Sequence, residues 1–126
     1  MKKNYIYYLI FGICFLSFQV VQEYIRPHYD GRNTWIVYAL GVLPNFLPGI
    51  GLPSFFYVVI PELFPPSSKL YNHRLSFSIL ISVLGLVANE FTHLGPGPGV
   101  FDWNDILWSA IGAILFYGLH RILQKV

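Results

Sequence analysis

An all-α, membrane-embedded bundle of four helices, the second broken by prolines, is the fold the sequence predicts. Three observations lead there. Hydrophobic residues make up 55% of the chain and charged ones 11%, against roughly a quarter charged in a soluble domain, so too few charges remain to coat a water-facing surface. The apolar residues gather near 5–23, 35–60, 75–92 and 103–123, each stretch close to the ~20 residues needed to cross hydrocarbon. Most Lys and Arg residues stand at the ends of those stretches and form no basic face, which excludes nucleic-acid binding. A length of 126 residues holds one compact domain.

The first stretch follows Lys2 and Lys3. A positive start and an apolar centre suit a signal peptide, but no small-x-small cleavage site follows, so a retained first span is expected. Gly12, Gln19, Gln22, Glu23 and Arg26 fall near one helical face, with polarity rising toward the far end. Pro27 and Asp30-Gly31 mark the first loop as a turn, and Trp35 opens the second stretch at an interfacial position.

Pro44, Pro48 and Pro53, with Gly49 and Gly51 among them, interrupt that second stretch. Each proline removes a backbone donor and clashes one turn back. Two helical pieces are therefore expected, near 35–43 and 53–64, joined by a kink or a re-entrant turn. Asn45 would help satisfy the freed backbone groups, since such groups at membrane depth must face protein or water.

A polar connector, 61–73, leads to the third span, where Ser78, Ser82, Gly85 and Asn89 share one face. Such a stripe lets transmembrane helices approach closely and hydrogen-bond. On the fourth span Ser109, Gly112 and Ala113 make a matching small-residue face, and the two faces are expected to pack together. With four spans both termini lie on one side. Lys2, Lys3, Lys69, Arg74, Arg121 and Lys125 share that side, against Arg26 and Arg32 opposite, which predicts cytoplasmic termini.

The outer junction concentrates chemistry: Glu90-Phe-Thr-His93, then Gly95 to Gly99, then Asp102-Trp-Asn-Asp105. Asp102 fits an N-cap and Asp105 an acidic first-turn position of the fourth helix. Capping leaves Glu90 and His93 unexplained. A carboxylate near lipid needs a partner, and Arg26 or Arg32 on the first outer loop could supply it. The same acids and imidazole could hold a divalent metal or act as general acid and base. No nucleophile elbow or phosphate-binding glycine loop occurs, and no cofactor is expected. Cys14 is the single cysteine, which excludes an intrachain disulfide.

The pattern Glu90-x-x-His93, Gly-Pro, Phe101-Asp-Trp-x-Asp105 and Gly112-Ala resembles the signature of VanZ-like small bacterial membrane proteins. Glu90, Asp102, Asp105 and Gly112 match. His93 stands where that signature has Gln, Ser109 where it has Asn, Phe116 where a second Gly often follows, and no arginine lies between Glu90 and Asp105. The resemblance implies a bacterial cell-envelope protein of a family associated with glycopeptide resistance.

The function expected is non-enzymatic: interaction with membrane lipid, a cell-wall intermediate or another amphiphile at the outer leaflet. The candidate residues are Glu90, His93, Asp102, Asp105, Arg26, Arg32 and Asn45. Two alternatives stay open: a small transporter or channel using the proline-rich break, and a metal-assisted enzyme acting on a lipid headgroup.

Overall fold

The computed structural model describes residues 2–91 and 103–125. Helix α1 (Lys2–Val20) continues through a π-helical turn, Val21–Ile25, and a 3-10 turn, Arg26–His28. Helix α2 covers Thr34–Leu63, a short α3 Lys69–Asn72, α4 Arg74–Phe91 and α5 Trp103–Lys125. No strand occurs among the described residues. Four of the helical segments are long and apolar enough to cross a membrane, so the chain is a multi-pass membrane protein.

The turn before α2 forms as its residues dictate. Gly31 takes a positive φ of 78°, a region open to glycine, while Asp30 Oδ1 accepts from the Arg32 amide at 3.1 Å. Asn33 then caps α2, its Oδ1 accepting from the amides of Trp35 at 2.9 Å and Ile36 at 3.3 Å. Part of the polar connector is helical too: α2 runs on to Leu63, and Ser68 Oγ accepts from the Leu70 amide at the start of α3.

The expected break in the second span does not occur. α2 is one helix of 30 residues with Pro44, Pro48, Pro53 and Pro61 inside it. The physical reason lies in the backbone. A break would create a new helix end on each side, leaving roughly eight orphan amide and carbonyl groups to be satisfied at membrane depth. The three central prolines carry no donor of their own. They orphan just the carbonyls four residues back, on Leu40, Pro44 and Gly49, so the continuous helix leaves fewer groups unpaired.

α2 is the central element, with α1, α4 and α5 all packed on it and a smaller contact between α4 and α5. This corrects the expected pairing of small-residue faces. Gly112 of α5 meets Gly49 of α2: a Cβ on Gly112 would lie 2.5 Å from the Phe46 carbonyl oxygen and 3.0 Å from the Gly49 Cα. On α4, Ser78 and Ser82 are buried, while Gly85 has open space where a Cβ would sit. Nor do the serines bond across helices. Ser54, Ser78, Ser82 and Ser109 each donate to the carbonyl four residues back on their own helix, so their contribution is small size and a satisfied hydroxyl.

An aromatic and polar knot ties one end of the bundle. Tyr7 and Phe116 are fully buried against Tyr57 and Val58. The Tyr7 hydroxyl lies 2.7 Å from His120 Nδ1 and accepts from Gln124 Nε2 at 3.3 Å. The Arg74 guanidinium sits over the rings of Tyr57 and Tyr71, at 5.0 and 4.9 Å. These contacts gather the start of α1, the end of α2, the start of α4 and the end of α5, so successive spans run antiparallel.

A glycine comparison tests the α2–α5 crossing. Gly112→Ala should lower thermal stability in detergent despite better helix propensity, because overpacking against a backbone carbonyl costs about 1–3 kcal/mol. Gly85→Ala, where the new methyl group meets nothing, should instead gain about 0.5–1 kcal/mol. Thermal denaturation followed by circular dichroism reads both.

Candidate functional site

At the end opposite the aromatic knot, four elements enclose a cavity of about 330 Å³. The turns after α1 contribute Gln22 and Arg26, α2 contributes Asn45, α4 contributes Asn89 and Glu90, and α5 contributes Asp105. The local reasons are legible one by one. Gln22 and Arg26 are four residues apart, and Arg26 Nη1 donates to Gln22 Oε1 at 2.6 Å, which steadies the guanidinium beside the cavity mouth. They belong to the π and 3-10 turns, the kind of local helix irregularity that recurs at functional sites.

On α2 the lining residues are Gly41, Pro44, Asn45 and Pro48. Their spacing of three, four and seven places them on one helical face. The proline stripe is thus the cavity stripe. Irregular backbone at membrane depth is tolerated where it borders protein or a wet cavity, and α2 puts two of its prolines beside the polar residues.

Glu90 is 2% exposed, an expensive position for a carboxyl group at membrane depth unless it is engaged. It is engaged, as are Asn89, Asn104 and Asp105. No buried side-chain nitrogen or oxygen among the described residues lacks a hydrogen-bond partner. Asp105 stands in the first turn of α5, where the helix dipole favours an acid, and it reaches the cavity as well. Beside it, Trp108 Nε1 donates to the Tyr38 hydroxyl at 2.9 Å, which donates to Asn104 Oδ1 at 3.1 Å. Phe46 meets the Trp108 ring edge-on at 5.8 Å between centroids. This brace fixes α5 against α2 next to the cavity.

Of the residues singled out from sequence, Arg26, Asn45, Glu90 and Asp105 come together around this one cavity. Arg32 does not join them: it pairs with Asp30, Nε to Oδ2 at 3.0 Å, on the exposed loop. His93 and Asp102 lie outside the described residues. Among the described residues no group of three His, Cys, Asp or Glu side chains could hold a metal ion. Gln22 and Asn89, which the helical periodicity places on packing faces, line the cavity as well. Asn89 is adjacent in sequence to Glu90, and that adjacency is the signal that could have found it.

A four-helix membrane bundle with a mixed acid, amide and guanidinium cavity at one end is the class these observations define. No protein-family model matches the chain, and comparison with curated proteins and with solved structures finds no match. The resemblance to VanZ-like proteins therefore rests on the residue pattern between Glu90 and Gly112.

The brace makes a quantitative expectation. Tyr38→Phe removes one accepted and one donated bond and should cost about 1–3 kcal/mol, while Trp108→Phe, removing the shared bond, should cost less. Because one hydrogen bond is common to both, the double variant should lose less than the sum in a thermal-stability cycle.

Proposed function

We propose that this chain is a VanZ-like, non-enzymatic protein of the bacterial cell membrane, with both termini cytoplasmic and the cavity opening toward the outer leaflet. Its task is to hold the polar head of an amphiphile: a lipid, a cell-wall intermediate or a glycopeptide-type compound. The observation that carries this reading is the convergence of Arg26, Asn45, Glu90 and Asp105, from four elements, on one cavity. A scaffold alone has no need to bring acids, amides and a guanidinium from separate helices to a shared hollow. The volume, about 330 Å³, lies at the lower end of the range for small-molecule sites.

Cytoplasmic termini draw support from the charge count: six Lys and Arg residues on the side of the termini against Arg26 and Arg32 on the other. A transport role has less behind it. Such a role would draw on a broken second span, and α2 runs unbroken through Pro44, Pro48 and Pro53.

Reconstituted vesicles test the reading. Retention of a lipid-linked or glycopeptide ligand by the wild-type protein should fall about tenfold or more with Asp105→Asn and Glu90→Gln, since charge-assisted hydrogen bonds contribute roughly 1.5–3 kcal/mol each. Variants that lose thermal stability but retain ligand as wild type does would reduce both acids to structural roles.

A further inference from the structure

A second, smaller hollow of about 150 Å³ lies between α1 and α2. Its walls are carbon-rich, with Phe11, Cys14, Phe15 and Leu52 prominent, and it shares Phe18 and Pro48 with the polar cavity. The order along the first span is instructive. From the outer end inward come Arg26 and Gln22, then the shared Phe18, then Phe15, Cys14 and Phe11. At about 1.5 Å per helical residue that descent covers roughly 22 Å. The two hollows are therefore stacked along the bundle axis, polar above apolar, with common walls between them.

Resting on the amphiphile-binding reading above, we propose that the ligand is a single-chain amphiphile whose head is hydroxylated or amine-bearing and carries no phosphate. Its head occupies the polar cavity, and its chain passes Phe18 and Pro48 into the apolar hollow.

The head chemistry follows from the lining. Phosphate recognition draws on several Arg or Lys side chains, or on a free helix N-terminus. Among the described residues Arg26 is the one cation in the lining, and it already bonds Gln22, while the first turn of α5 carries Asp105. Among the described lining residues two carboxyl groups stand against one guanidinium, a balance that favours a neutral or cationic head over an anionic one. Gln22, Asn45 and Asn89 each offer a donor and an acceptor on one side chain, a combination suited to hydroxyl groups, and Glu90 and Asp105 supply acceptors for hydroxyl or ammonium protons. The chain assignment follows from the continuity of this apolar hollow with the polar chamber, through the shared Phe18 and Pro48.

Cys14 is the sole cysteine of the chain and lines the apolar hollow, so its modification reports on occupancy. The wild-type protein in phosphatidylcholine nanodiscs is treated with methyl methanethiosulfonate, and the rate of mass increase is followed with submicellar dodecyl glucoside, dodecylamine or dodecyl phosphate. At a concentration about ten times its Kd, a bound amphiphile should slow the reaction roughly tenfold. Slowing by the glucoside and the amine, and none by the phosphate, is the expected result. Equal slowing by all three, or greatest slowing by the phosphate, overturns the head assignment while leaving amphiphile binding in place. Absence of slowing, with ligand retention still sensitive to Asp105→Asn in the vesicle assay, overturns the chain placement alone. Absence of both defeats this proposal and the reading beneath it together.

Discussion

The contact between Gly49 of α2 and Gly112 of α5 sets the distance on which the cavity-bearing half of the molecule depends. With no Cβ on either residue, the two backbones approach so closely that a Cβ on Gly112 would lie 2.5 Å from the Phe46 carbonyl oxygen. Lipid offers no hydrophobic drive for helix association, so close van der Waals packing must supply it. The same approach brings Phe46 onto the Trp108 ring, Tyr38 within reach of Asn104, and Asn45 and Asp105 to one cavity. A wider crossing would separate all three pairs at once.

The second constraint is that the backbone of α2 stays helical through its prolines. Lipid penalises a helix end far more than it penalises a single unpaired carbonyl, so prolines that would end a helix in water stay inside one here. The consequence is spatial as well as energetic. Pro44 and Pro48 share a helical face with Gly41 and Asn45, and that face borders the polar cavity. The bundle thus gathers its irregular backbone and its polar side chains in one region. Its other end is closed by Tyr7, Tyr57, Phe116 and His120.

Much of the fold was legible because membrane spans announce themselves through composition. Four helical segments, Asn4–His28, Thr34–Leu63, Arg74–Phe91 and Trp103–Lys125, are long and apolar enough to cross a membrane. The small-residue faces were visible too, at Ser78, Ser82, Ser109 and Gly112. Their pairing was not, because a stripe of small residues says that a helix is approached closely without saying by which neighbour. Gly49 held the answer but was hidden among turn-forming prolines. At the site, Glu90 and Asp105 stood out as acids near lipid, and Arg26 and Asn45 as their possible company. Arg32 was misleading: Asp30, two residues away, satisfies it locally. The knot of Tyr7, Arg74 and His120 escaped notice because its members lie far apart in sequence and none carries a motif.

Water access to Asn45 is the most direct test of the proposal that the polar cavity opens toward the outer face. In a Cys14→Ser background, Asn45→Cys would be exposed to a membrane-impermeant thiol reagent, first in right-side-out and then in inverted membranes. Labelling from the outer face alone is the expected outcome. A thiol that reacts from the inner face would contradict the proposed orientation, and one that reacts from neither would contradict a water-filled cavity at Asn45.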